Sequence, residues 1–170
     1  MPKLKVFLTG GGGFIGRHIL EQLGQSYDFL VPSHHELELS DASAVSAFLE
    51  KNRPDIVLHA ANIGGNRKQK DLTSVTHQNL QMFFNIIQGR EFFGRLIVLG
   101  SGAEYDKRQP VVEVAEDDYR HSIPVDEYGF AKFVMARFAE EVEYITHLRI
   151  FGVYGSGEDY QTRFISNAIC

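Results

Sequence analysis

An α/β fold built on a doubly wound, mostly parallel sheet is what this 170-residue sequence predicts. Three observations predict it. Short apolar runs alternate with amphipathic helical segments along the chain, a glycine-rich loop joins the first run to the first helix, and no linker or repeat divides the sequence. A composition of 44% hydrophobic and 23% charged residues is enough for one buried core. Right-handed crossovers then make a doubly wound sheet the economical topology.

Taken in order, Leu4–Thr9 is a short apolar strand. After Gly10–Gly13, Phe14–Leu23 reads as a helix with Ile15, Ile19 and Leu23 on one buried face. Tyr27–Val31 is a second strand, stopped by Pro32. Asp41 can cap a helix over Ala42–Asn52, whose Val45, Phe48 and Leu49 share a face. Pro54 and Asp55 launch the strand Ile56–Ala60. A long helix over Ser74–Gln88 turns Val75, Leu80, Phe83, Phe84 and Ile87 inward, and Arg95–Gly100 is too short and apolar for anything but a strand. A polar, acidic loop over 106–126 leads to a helix over Asp126–Glu143, a strand over Tyr144–Val153 and a partial helix over Gln161–Cys170.

Composition excludes several functions. The net charge is −5, and the 17 Lys and Arg are scattered, with no run longer than a pair such as Arg67–Lys68, so no nucleic-acid-binding surface is expected. Cys170 is the single cysteine, which rules out a disulfide framework or a multi-cysteine metal site. No apolar stretch approaches a bilayer span and the N-terminus lacks a signal-peptide pattern, so a soluble, cytoplasmic protein is expected.

The loop reads Thr9–Gly10–Gly11–Gly12–Gly13–Phe14–Ile15–Gly16, at a strand-to-helix junction. Glycines let backbone N–H groups approach a pyrophosphate, and the helix starting at Phe14 adds unpaired N–H groups and its positive dipole end. Gly16 allows close helix-to-strand packing. A nucleoside-triphosphate loop is excluded because Arg17 and His18 stand where Gly-Lys-Ser/Thr would be needed. An NAD site places an acid at the end of the second strand, yet here Pro32, Ser33, His34 and His35 precede Glu36, and Asp28 falls at the strand's start. Ser33 and His34 can donate to a 2′-phosphate, which favours NADP modestly over NAD; both also read as solvated loop residues. No further ligand stands at metal-binding spacing from His34 and His35.

Tyr128 and Lys132 are one helical turn apart, with Phe130, Val134 and Phe138 expected on the opposite, buried side. An ammonium near the phenol would lower its pKa from about 10 and make it an acid–base group beside a nicotinamide. Ser101, just past the strand ending at Gly100, is placed to hydrogen-bond the reacting oxygen.

Together the spacing Gly10-x-x-Gly13-x-x-Gly16, the ending Gly-Phe-Ile-Gly, the segment Pro54–Ala61, Ser101 four residues before Tyr105, and Tyr128-x-x-x-Lys132 resemble the extended short-chain dehydrogenase/reductase family, whose branch modifies nucleotide sugars. The resemblance implies a Rossmann-like domain binding NADP or NAD through Gly10, Gly13, Phe14, Ile15, Gly16, Ala60 and Ala61. It also implies Asp41 as an adenine-contacting acid, Ser101 and Tyr128 as catalytic groups, and Lys132 as a catalytic and ribose-holding group. Asn79 resembles a helix asparagine that steadies the site. In the segment Arg149–Gly155, Gly152 replaces the family's Asn.

Gly102 and Ala103 stand where the family's dehydratases carry an Asp-Glu pair, which disfavours sugar dehydration. The stretches Glu36–Asp41 and Ala61–Gly65 are similar to the GDP-fucose synthase branch, but Ala103 replaces its Cys and no His lies between Ser156 and Thr162. A 4-epimerase or 4-keto reductase of nucleotide sugars, dimerising through its two long helices, is thus implied. The chain is expected to be one dinucleotide-binding domain over 1–170, with 156–170 beginning a truncated substrate-binding part. A non-catalytic dinucleotide-binding module, or a fragment of a longer enzyme, is the alternative.

Overall fold

A computed structural model describes residues 2–65, 73–108, 110–159, 161 and 163–169. Cys170 and the Arg67–Lys68 pair lie outside the described residues. Five strands form one parallel sheet: β1 (Lys5–Thr9), β2 (Asp28–Leu30), β3 (Ile56–His59), β4 (Arg95–Leu99) and β5 (Ile145–Leu148), in the order β2-β1-β3-β4-β5. The helices are α1 (Phe14–Leu23), α2 (Ala42–Asn52), α3 (Val75–Gln88), α4 (Glu127–Glu140) and α5 (Phe164–Ile169). The chain runs outward from β1 to β2, then back across β1 to β3, β4 and β5. Right-handed crossovers therefore put α1 on one face and α2, α3 and α4 on the other. The reversal makes a switch point between β1 and β3, where doubly wound sheets open a crevice.

Phe7, Val57, Leu96 and Val98 from the strands pack with Val45, Leu49, Phe83, Ile86 and Met135 from α2, α3 and α4 as the main core. The predicted bounds of α1 and α2 agree with the structure, and the Asp41 carboxylate accepts from the Ser43 and Ala44 amides at 2.9 and 3.0 Å. Other expectations need correction. β2, β5 and α5 are shorter than predicted, α4 ends at Glu140, and the polar loop holds a 3₁₀ turn over Glu116–His121 that buries Tyr119. On α1 only Gly16 is buried, Ile15 and Ile19 are half-buried and Leu23 is exposed, because α1 packs by backbone approach rather than by an apolar stripe. On α3 the most buried apolar residues are Val75, Met82, Phe83 and Ile86, while Leu80, Phe84 and Ile87 fringe the core. On α4 the buried face is Gly129, Ala131, Lys132, Met135, Ala136 and Ala139, with Phe130 exposed. Lys132 thus lies on the core-facing side, not opposite it. Phe83, Phe84 and Phe138 meet edge-on within the chain, with centroids 5.1–5.8 Å apart.

Candidate active site

The switch-point crevice is held by one hydroxyl. Thr9, last residue of β1, accepts the Ala61 N–H at 3.1 Å and lies 2.9 Å from His59 Nδ1, last residue of β3. Gly10 then turns with φ +70°, and a Cβ there would stand 2.6 Å from the Ala61 nitrogen, so only glycine fits. Gly13 occupies the N-cap of α1 in extended conformation without a side chain to engage the helix's first N–H groups. Those groups are left for an anion. Gly16 packs beneath the loop: a Cβ there would lie 2.3 Å from the Gly10 carbonyl oxygen.

Two cavities flank this loop. One of about 900 Å³ is lined by Gly10–Gly13, Ser33, His34, Glu38, Ser40 and Ala61. The other, about 1070 Å³, is lined by Phe14, Ile15, Ala60, Ser101, Tyr128 and Lys132 among others. The structure therefore sets Gly10–Gly13 and Ala61 about one cavity and Ala60 with the Ser-Tyr-Lys set about the other, with Asn62 lining both, at the carboxyl ends of the strands. Ser33 and His34 do face the first cavity. Asp41 does not line it and spends its carboxylate on capping α2.

Glu38 was missed by reading only the strand end. It lines the cavity 3.2 Å from His34 Nε2 and accepts the Ser40 N–H and hydroxyl at 2.9 and 2.8 Å, which hold its carboxyl below the usual range. Glu36 turns instead onto the Ser33 amide at 2.7 Å.

Ser101 follows β4 and opens a 3₁₀ turn, its hydroxyl accepting the Ala103 N–H at 3.1 Å. Tyr128 is half-buried. Burial pushes its phenol above the ordinary value, a hydrogen bond with Ser101 pulls the other way, and the Glu104 charge raises it further. The expected lowering by Lys132 is corrected. The Lys132 ammonium lies 5.9 Å from the Tyr128 ring centroid and donates instead to the Leu99 carbonyl at 2.8 Å. Only 4% exposed, Lys132 is brought down to about 8 by burial, with Glu104 opposing. Gly64 and Gly65 also line the cavity and bring the chain after β3 against the Tyr128 ring. Asn79 holds that chain by accepting the Ile63 N–H at 3.0 Å and donating to the Ile63 carbonyl at 2.8 Å. Gly152 lines the same cavity with open space about its Cα.

His59 is buried and held neutral, its pKa pushed down to about 3 by burial and then by the Lys132 charge. In the unfolded chain the imidazole titrates near its ordinary 6.5, so between these values the unfolded state binds more protons. This contribution to stability is complete above about pH 6.5 and lost as pH falls toward 3. The unfolding temperature should drop between about pH 6.5 and 4.5, and His59→Asn should flatten that slope. An unchanged slope in a folded variant refutes the assignment.

Among the described residues no group of three or more His, Cys, Asp or Glu stands close enough to hold a metal ion, and no helix is long and apolar enough to cross a membrane.

Comparison with known proteins places the chain in a family. The family model described as "NAD dependent epimerase/dehydratase family" matches residues 6–170. A GDP-L-colitose synthase of Yersinia pseudotuberculosis is 32% identical over 113 residues, covering 61% of this chain and 35% of its own length. A GDP-L-fucose synthase of Azorhizobium caulinodans is 25% identical over 171 residues, covering 94% and 55%. A solved GDP-mannoheptose C4 reductase from Campylobacter jejuni with NADP bound matches with a TM-score of 0.85 at 20% identity, over 98% of this chain and 54% of that one, a likeness of fold. The chain spans about half the length of these last two relatives while matching nearly all of itself. With the family model matching from β1 through α5, the chain belongs to the NAD-dependent epimerase/dehydratase family.

Proposed function

We propose that this chain is the dinucleotide-binding and acid–base portion of an NAD(P)-dependent epimerase or 4-keto reductase acting on a nucleotide-activated sugar. The observation that carries the reading is the crevice at the glycine loop, made of two cavities that share Asn62, one lined by Gly10–Gly13 and the other by Ser101, Tyr128 and Lys132. In it, the α1 N-terminus and Gly10–Gly13 hold the pyrophosphate, Ala60 and Ala61 wall the cofactor cleft, and Ser33 and His34 donate to a 2′-phosphate, favouring NADP over NAD. Asp41 caps α2 outside the cavity lining and takes no part in this reading. A bound nicotinamide supplies or accepts the hydride. Tyr128 gives a proton to the reduced carbonyl oxygen or takes one from the hydroxyl, Ser101 orients that oxygen by a hydrogen bond, and Lys132, held on the Leu99 carbonyl, meets the nicotinamide ribose.

The relatives' names favour a GDP-linked sugar as the substrate. A cytoplasmic location, and pairing of two copies through α3 and α4, belong to the same reading.

The test is to titrate the purified chain with NADPH and with NADH and follow the fluorescence of the reduced nicotinamide. Saturable binding, tighter for NADPH, is expected. Absence of binding to both overturns the reading, while tighter binding of NADH overturns the role given to Ser33 and His34.

A further inference from the structure

Glu104 has no exposed surface and lies in the 3₁₀ turn directly after Ser101. A buried carboxylate is costly unless its oxygens are fully engaged. Its Oε1 accepts the Ser101 N–H at 2.7 Å, with His147 Nε2 3.0 Å away, and its Oε2 accepts the Arg149 Nε–H at 2.6 Å. Arg149 is itself nearly buried, its guanidinium 4.2 Å from the Tyr119 ring centroid and 5.7 Å from that of Tyr105, and its Nη1 donates to the Glu116 carbonyl at 3.1 Å. The exit of β4 is therefore gripped residue by residue. Lys132 donates to the Leu99 carbonyl, the Gly100 N–H donates to the Leu148 carbonyl at 2.8 Å, and Glu104 takes the Ser101 N–H.

We propose that Glu104 and Arg149 form a positioning pair, which fixes the Ser101 backbone at the exit of β4 and sets the charge field behind Lys132. The proposal rests on the catalytic reading of Ser101, Tyr128 and Lys132 given above. Glu104 makes no contact with the reacting atoms; it acts through Ser101 and Lys132. Among the described residues, the other titratable groups facing Lys132 are Tyr128, one turn back on α4, and the neutral His59 at the end of β3. Neither supplies a negative charge. Glu104 is thus the charge that favours the lysine's ammonium form against burial, beside the Leu99 carbonyl that accepts its hydrogen bond.

The test is Glu104→Gln, which keeps an acceptor for the Ser101 N–H and removes the charge. Two magnetic-resonance signals are read on the free chain: the Lys132 side-chain carbons, identified with Lys132→Arg, across a pH titration, and the Ser101 amide proton. In the parent, Lys132 is expected to titrate near pH 8 and the Ser101 amide to lie downfield, as for an N–H bonded to a carboxylate. In Glu104→Gln, the Lys132 midpoint should move to lower pH and the amide upfield. An unmoved midpoint overturns the field, and an unmoved amide overturns the clamp. Should Glu104→Gln fail to fold because Arg149 is left buried without its partner, Glu104→Gln/Arg149→Met removes both charges and is read the same way. Neither signal needs a bound dinucleotide, so failure to bind NADPH sinks the proposed function without deciding this pair.

Discussion

Gly13→Asp is expected to leave the chain folded and to weaken NADPH binding about a hundredfold or more. Gly13 holds the N-cap of α1 with φ −75° and ψ 172°, extended values that any residue adopts. A Cβ there meets only the Gly10 carbonyl oxygen, at 3.2 Å. Aspartate is among the favoured N-cap residues, and its carboxylate would accept the helix's first free N–H groups. Those are the groups assigned to the pyrophosphate, so the variant both occupies them and brings a like charge, which costs several kcal/mol. Each 1.4 kcal/mol is about tenfold in affinity. Thermal unfolding should be unchanged or slightly higher, while the fluorescence titration shows the loss. Parent-like affinity in a folded variant would remove the phosphate site from the glycine loop.

Tyr128→Phe should lower turnover of the hydride-transfer step by about 10²–10⁴, the usual worth of a positioned acid–base group, with NADPH affinity unchanged. The ring remains, so its packing against the chain at Gly65 is kept, and only the oxygen proposed to transfer the proton is lost. A fall in kcat with no change in NADPH affinity is the expected pattern in assays with GDP-linked 4-keto sugars. Full turnover in Tyr128→Phe would exclude the phenol as the proton donor or acceptor. Equal losses in NADPH binding and turnover would give Tyr128 a structural role instead.

The parts of this fold that could be read in advance are those governed by local chemistry. The limits of α1 and α2 follow from Gly13 before one helix, from Asp41 capping the other, and from Pro54 just past its end. The cleft follows from glycines at the exit of the first strand, because a switch point gathers strand ends whatever the rest of the chain does. The orientation of α4 was not local. Its apolar residues run around the helix, and the buried face is Gly129, Ala131, Met135, Ala136 and Ala139 rather than Phe130, because the small residues at four of these positions allow close packing. That choice carried Lys132 into the core and onto the Leu99 carbonyl, which is why its expected effect on the Tyr128 phenol is absent. Glu104 was likewise hidden, since its partner Arg149 lies 45 residues away and nothing local distinguishes it from a surface acid in a polar loop.

The hydroxyl of Thr9 carries a consequence for how a dinucleotide would be received. It accepts from Ala61 and shares a hydrogen bond with the neutral His59, so both walls of the crevice are tied at one atom. The gap between them is then set by two bond lengths and is no longer a hinge angle that a ligand must close. The conformational entropy of shaping the crevice is lost when the chain folds, before any ligand arrives, and binding enthalpy need not be spent on it. A cofactor meeting this frame would enter a slot of fixed width.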